Sequence, residues 1–420
     1  MSLIITPGLL DQTCAVAQEL LRFAQPADAV LSAFFRAHRC GPRERAFIAE
    51  AAYALLRKKR SLSAWAGDDA PRHLALAALV REIGLSQRAL DAALSKRDAA
   101  WLAERRAAAE PALGLAERTD LPDWLAARLV ALMPEEELVM LARALNRPAP
   151  LDLRVNAMKA ERAEVLAQLA GEGIAATACP YAPEGIRLAG KPSLAKHPLF
   201  LSGAIEVQDE GSQLLGHLVA PKRGEMVVDF CAGAGGKTLL LGALMRSTGR
   251  LYAFDVSDKR LARLKPRLAR SGLSNVHPVV IAHENDTQVK RLAGKCDRVL
   301  VDAPCSGLGT LRRNPDLKWR QTPESVAELI VKQGNILVAA AKLLKLGGRL
   351  VYATCSLLPE ENENIVDAFL AIHPQFVRRV AMEMLAAQNI DVALAGSDLQ
   401  LLPHIHGTDG FYAAVLERTT

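Results

Sequence analysis

The feature that most constrains the fold is an alternation of segments in the second half of the chain. From Gly224 onward five short, β-branched stretches recur: EMVVDF (225–230), RLYAFDV (250–256), VHPVVIA (276–282), DRVLVDAP (297–304) and GRLVYATC (348–355). Their apolar character is continuous rather than alternating, as suits strands buried on both faces. Helical segments separate them. Ser257 is a fitting N-cap for one that ends near Gly272, and Thr322-Pro323-Glu324 opens another with an N-cap and a proline in the first turn. Strands and helices in this order predict a doubly wound α/β sheet, with a kink at Pro266 inside the first of those helices.

The first third reads differently. Residues 1–145 are rich in Ala, Leu, Arg and Glu, and Ile48, Ala51, Ala52, Leu55 and Leu56 lie at helical spacing, so this part is predicted to be all-α. The proline-bearing stretch Asn146-Arg-Pro-Ala-Pro150 breaks that pattern. After it, LDLRVNAM reads as a strand, AERAEVLAQLAGEG as a helix and GIRLAG as a strand, a small α+β module over 146–218 that precedes an α/β domain over 219–420. Three parts suit 420 residues at about 150 per domain.

Composition excludes several classes. With 50% hydrophobic and 23% charged residues the chain is neither disordered nor collagenous, and no uncharged apolar run approaches the roughly 20 residues of a membrane span. Asp11 and Glu19 interrupt the apolar start and no basic region precedes it, so a secretory signal is not expected and the expected location is the cytoplasm. The seven cysteines are scattered without zinc spacing, and the nine histidines have no partners at ligand spacing, so no metal is implied. A net charge of +6 leans toward polyanions. Eight of the basic residues fall between Arg36 and Arg60: Arg36, Arg39, Arg43, Arg45, Arg57, Lys58, Lys59 and Arg60. They read as a solvated helical face or as a phosphate-contacting surface, whose RNA binding would be salt-dependent.

The chemistry-bearing residues sit at the ends of the predicted strands, where open α/β sheets bind ligands. The first turn is Val227-Val-Asp-Phe-Cys-Ala-Gly-Ala-Gly-Gly-Lys-Thr238, whose glycines let backbone approach a ligand at a helix N-terminus. Its closing GKT is a near miss to a P-loop, because Cys231 stands where that motif needs glycine. A nucleoside-binding loop fits better, since Asp255 ends the second strand and can accept hydrogen bonds from ribose hydroxyls. The fourth strand runs into Asp302-Ala-Pro-Cys305 and the fifth into Ala-Thr-Cys355, and neighbouring tips would bring the two cysteines together.

These motifs, DFCAGAGGKT (229–238), AFDVS (253–257), VDAPCSGLGTLRRNPDLKW (301–319), YATCSLLPEENE (352–363) and GTDGFYAA (407–414), resemble the RsmB/NOL1/NOP2/Sun family of S-adenosylmethionine-dependent RNA cytosine-5 methyltransferases. LRVNAMK (153–159) and VQDEGSQL (207–214) are similar to its pre-catalytic segment, and residues 27–57 to the NusB-like domain of its bacterial small-subunit rRNA branch. The resemblance spans nearly the whole chain. It implies a Rossmann-like class I methyltransferase domain behind a NusB-like helical domain, acting on RNA, most simply 16S rRNA; the chain is separately expected to be a monomer. The resemblance makes Cys355 the nucleophile toward cytosine C6, Cys305 the residue that assists release, and Asp302 the partner of the ring's N3 and exocyclic amine. It implies that Cys231, Ala232, Gly233, Ala234, Gly235, Gly236 and Lys237 wrap the cofactor and that Asp255 holds its ribose, with Asp302 also at the cofactor. Asp286 is chosen over Glu284 as the third cofactor acid. Ala234 stands where the family's string usually has proline. Cys231 reads as a packing residue rather than a third reactive thiol. After Cys305, the residues Arg312, Arg313, Lys318, Trp319 and Arg320 either meet an extruded RNA base or, for Trp319, pack the next helix. The competing readings are a tRNA or DNA cytosine-5 methyltransferase and a non-catalytic RNA-binding, antitermination-type factor with a vestigial site.

Overall fold

The first part of the chain is strand-free, and some of its helix starts carry their own caps. Thr6 Oγ1 accepts from Leu9 N ahead of Pro7–Leu20, and Ser95 and Asp98 form a reciprocal box ahead of Lys96–Ala107. Pro42–Ala66 begins with proline in its first turn and ends at Gly67, whose φ of 79° only glycine takes up without cost. Ile48, Leu55 and Leu56 of that helix are buried with Leu10, Val16, Leu74, Leu76 and Leu79 from its neighbours, which confirms the apolar spacing seen in the sequence. The computed structural model describes residues 3–420 of the chain. Among these, no helix is long and apolar enough to cross a membrane.

Contacts divide the chain into two units, one running up to Pro148 and including Thr310–Pro323, the other comprising Ala149–Gly309 and Glu324–Thr420. The excursion at 310–323 is therefore part of the helical unit. Its seat is a break in Pro42–Ala66 at Lys58, which has φ −117° and ψ 20°. The Ser61 amide would normally bond the Arg57 carbonyl; it donates instead to Asp120 at 2.9 Å, and the Arg57 carbonyl accepts from Lys318 Nζ at 2.8 Å. Lys318 is fully buried, its amine also donating to Asn146 Oδ1 at 2.8 Å, and burial pushes its pKa down to about 7. Trp319 Nε1 donates to the Leu56 carbonyl at 2.7 Å and its ring lies 6.2 Å from that of Phe23. Arg320 pairs with Asp316, whose carboxylate accepts from Ala27 N. Lys318, Trp319 and Arg320 thus make their contacts within the helical unit.

The second unit carries two sheets. The small one joins β1 (Leu151–Val155), β2 (Ala176–Ala178), β3 (Gly185–Leu188) and β4 (Ile205–Val207) in the antiparallel order β2-β3-β1-β4, with the expected helix at Arg162–Gly171. β2 and β4 were not expected: at three residues each they are too short to show a period. The large sheet contains the five predicted strands as β5 (Met226–Asp229), β6 (Arg250–Asp255), β7 (Val276–Val280), β8 (Cys296–Asp302) and β9 (Leu344–Thr354), all parallel. Three more, β10 (Phe376–Arg379), β11 (Leu399–Leu401) and β12 (Phe411–Arg418), are added antiparallel. The order is β10-β12-β9-β8-β5-β6-β7, with β11 on β12. This is the Rossmann-like doubly wound sheet that the alternation predicted. The helix Asp258–Ser271 runs unbroken through Pro266, which is exposed, so the carbonyl deprived of its partner is on the solvent side.

Candidate active site

Because β5, β8 and β9 are adjacent and parallel, their C-terminal ends lie side by side; Asp229 registers with Leu300 and Asp302 with Ala353. A cavity of about 470 Å³ opens over these ends. Cys231, Ala232, Gly233, Ala234, Gly236, Lys237, Asp255, Asp302, Cys305 and Cys355 all line it, so the sequence-predicted residues are gathered at one place. Gly235 does not line the cavity. Its φ of 82° begins the helix Gly236–Leu244, and a Cβ there would lie 2.2 Å from Leu264. Gly233, with φ 57°, faces open space instead, and its amide donates to Asp255 Oδ2 at 2.9 Å. The other Asp255 oxygen accepts from Ser257 N at 2.7 Å and pairs with Arg260 at 3.0 Å, so the carboxylate is held rigid at the cavity edge.

Two arginines that sequence reasoning did not single out hold the glycine-rich turn from behind. Arg154 of β1 is fully buried and donates to the Gly236 carbonyl at 2.8 Å and to Gln208; burial lowers its pKa to about 10. Arg267 donates to the Ala234 carbonyl at 2.7 Å and pairs with Glu206 of β4 at 2.9 Å, where Arg270 also pairs. The small sheet is thereby a brace for the cofactor turn. The motif LRVNAMK was the available signal, since it carries Arg154.

The reacting groups sit across the cavity. Cys305 Sγ and Cys355 Sγ are 3.4 Å apart, and the Cys355 amide donates to Cys305 Sγ at 3.3 Å. The Cys305 thiol is pushed well up by its bond to Cys355, by burial, and by the negative charges of Cys355 and Glu361. Lys237 Nζ donates to Asp302 Oδ2 at 2.7 Å. Burial works against the lysine's charge, but Asp302, Cys355 and Asp229 outweigh it and hold Lys237 above its ordinary value. Asp229 accepts from Thr238 Oγ1 at 2.6 Å, while its other oxygen has no donor among the described residues. Burial raises Asp229 to about 7. Burial also pushes the Cys231 thiol up, which fits a packing role.

Asp286 does not line the cavity. Its two oxygens accept from Ala282 N and Gln288 N, both at 2.8 Å, capping the short helix Thr287–Lys290, and the first of these bonds holds it below the usual carboxylate range. Glu284, the acid not chosen, lines the cavity. Part of the basic run is engaged within the fold: Lys58 pairs with Asp120 at 3.3 Å, Lys59 with Asp69 at 3.4 Å, and Arg60 with Glu117 and Asp123, while the half-buried Arg57 donates to the Arg312 carbonyl. One acidic group among the described residues, Asp152, Cys179 and Glu210, has its ligand atoms close enough for a metal. Arg187 already occupies it, at 2.8 Å from Asp152 and 3.4 Å from Glu210.

A Rossmann-like sheet whose glycine-rich first turn and strand-end acid share a cavity with reactive side chains defines a class I, S-adenosylmethionine-dependent methyltransferase. The open space at Gly233, the rigid Asp255 and the unpaired oxygen of Asp229 fit that cofactor. Residues 216–417 match the family described as 16S rRNA methyltransferase RsmB/F, and residues 121–195 match the ferredoxin-like domain of RsmF/B-like methyltransferases. Ribosomal RNA small subunit methyltransferase B of Sodalis glossinidius is 39% identical over 309 residues, 73% of this chain and 68% of that protein. The structure of a methyltransferase homologue from Pyrococcus horikoshii is 30% identical and superposes with a TM-score of 0.62, covering 72% of this chain and 97% of its own. The chain belongs to the RsmB/F methyltransferase family.

Proposed function

We propose that this protein methylates C5 of a cytosine in RNA, with 16S rRNA as the substrate, through a covalent bond between Cys355 and C6. The observation that carries the reading is the pair of thiols 3.4 Å apart in the cavity that also holds the glycine-rich turn. The substrate is taken from the relatives, which are named as small-subunit rRNA methyltransferases.

Cytosine C5 is a weak nucleophile. When the Cys355 thiolate bonds to C6, the electron pair of the C5–C6 double bond is delivered to C5. Bound S-adenosylmethionine supplies the methyl group, on a sulfonium that leaves as the neutral thioether. Asp302 hydrogen-bonds the N3 and exocyclic-amine edge, where charge develops, and Lys237 fixes that carboxylate. The C5 proton then passes to a solvent base, the C5–C6 double bond re-forms, and Cys355 departs with its electron pair. Cys305, held as a thiol, donates its S–H to the departing sulfur. Asp255 binds the cofactor's ribose, with 231–237 around it. Glu284, rather than Asp286, is its third acid.

Incubating Cys305→Ala and Cys355→Ala variants with unmodified small-subunit rRNA and cofactor tests the assignment. An SDS-stable protein–RNA adduct is expected with Cys305→Ala and none with Cys355→Ala. The reverse pattern would exchange the two roles, and no adduct with no methyl transfer by the unsubstituted protein would remove the reading.

A further inference from the structure

Glu361 is a fully buried carboxylate, and no lysine, arginine or histidine pairs with it among the described residues. Four donors satisfy it instead. Oε1 accepts from the Ser306 amide at 2.8 Å and from Gln333 Nε2 at 2.9 Å, and Oε2 accepts from the hydroxyls of Ser306 and Ser356, each at 2.5 Å. Ser306 follows Cys305 and Ser356 follows Cys355. One carboxylate therefore grips the residue after each thiol, although β8 and β9 reach it from different parts of the chain.

The bracket extends to both sides. Gln333 also donates to the Pro304 carbonyl at 3.0 Å, so the residues before and after Cys305 hang from the same centre. Asn362, next to Glu361, accepts from Thr354 Oγ1 at 2.5 Å and donates to the Ser356 carbonyl at 3.2 Å, which brackets Cys355 in the same way. Tyr352 Oη anchors the turn itself by donating to the Glu361 carbonyl at 2.7 Å.

We propose that Glu361 is a positioning residue for the thiol pair: by tying Ser306 and Ser356 to one buried carboxylate it holds Cys305 and Cys355 where both can act on one base. The proposal rests on the cytosine C5 reading above. A buried charge without a cationic partner is costly, and here four donated hydrogen bonds offset that cost. The charge has a second use here. It acts on Cys305 and favours that sulfur's protonated form.

Full-length Glu361→Gln, Glu361→Asp, Ser306→Ala and Ser356→Ala variants test this, with cofactor titration to verify an intact fold. Glu361→Gln is expected to lower kcat by about tenfold or more with KM for RNA little changed. In a Cys355→Ala background it should also move the rise in thiolate absorbance to lower pH. Glu361→Asp keeps the charge but not the reach, so its thiol titration should stay with the parent while turnover falls. The serine variants should separate the two halves: Ser356→Ala slows formation of the RNA adduct, and Ser306→Ala lets the adduct form but slows its release. Unchanged turnover in Glu361→Gln, or equal slowing of both steps by the two serine variants in proportion to lost melting temperature, would overturn the proposal. If Glu361→Gln does not fold, the serine pair decides alone. The thiol titration needs no RNA, so it still reads the Glu361 effect if the unsubstituted protein transfers no methyl group and the cytosine reading fails.

Discussion

Asp229 lies at the end of β5 with one oxygen bonded to Thr238 and the other buried without a donor among the described residues. Its pKa rises from 3.8 to about 7 because burial disfavours the charged form. Between those values the unfolded chain has released the proton and the folded chain still holds it, so stability falls as pH rises through this window. Asn cannot titrate. Melting the cofactor-free Asp229→Asn variant and the parent from pH 4 to pH 8 should show the variant gaining stability on the parent as pH rises, by an amount on the order of 3 kcal/mol. A constant difference across the window would mean that Asp229 is ionised throughout. The neighbouring acids offer a second check. Glu284→Gln is expected to weaken cofactor binding by about tenfold in calorimetry, since about 1.4 kcal/mol is a factor of ten. Asp286→Asn should leave affinity near the parent's and loosen only its own loop. The two acids are two residues apart in sequence, and which one faces inward is decided by backbone amides: those of Ala282 and Gln288 claim Asp286. No side-chain pattern along the chain encodes that.

At the scale of elements, the five parallel strands and the two cysteines at their tips were legible because each depends on local pattern. A short, continuous β-branched run bounded by turn residues suits a strand buried on both faces, and ligands in open α/β sheets bind at the C-terminal ends of such strands. The charged helix Pro42–Ala66 was not legible. Arg57 to Arg60 look like a cationic stripe until Asp69, Glu117, Asp120 and Asp123, between 10 and 63 residues away, fold onto it. Arg36, Arg39 and Arg43 are exposed and have no acidic partner among the described residues. They are the better candidates for phosphate contact. Neutralising these three should flatten the plot of log affinity for RNA against log salt by about 2, at roughly 0.7 per single-strand phosphate. Neutralising Lys58, Lys59 and Arg60 should leave the slope and lower the melting temperature. If the second set changes the slope and the first does not, the RNA face has been misplaced.

For the molecule as a whole, the sequence by itself determined the helical first part, the five parallel strands and their order along the chain, the ligand edge of the large sheet and most of the residues gathered there. Apolar period, cap residues and glycine sterics act between residues a few positions apart, so they are written in the string. The tertiary structure alone decided the seat of Thr310–Pro323 in the helical unit, the bracing of the glycine-rich turn by Arg154 and Arg267, and the tie between Ser306, Ser356 and Glu361. Each of these is a polar or charged contact between groups 5 to 289 residues apart. Hydrogen bonds and ion pairs gain their energy from distance and burial in space, and one lysine in a sequence looks like any other until the fold shows that Lys318 is buried and Lys237 is paired with Asp302.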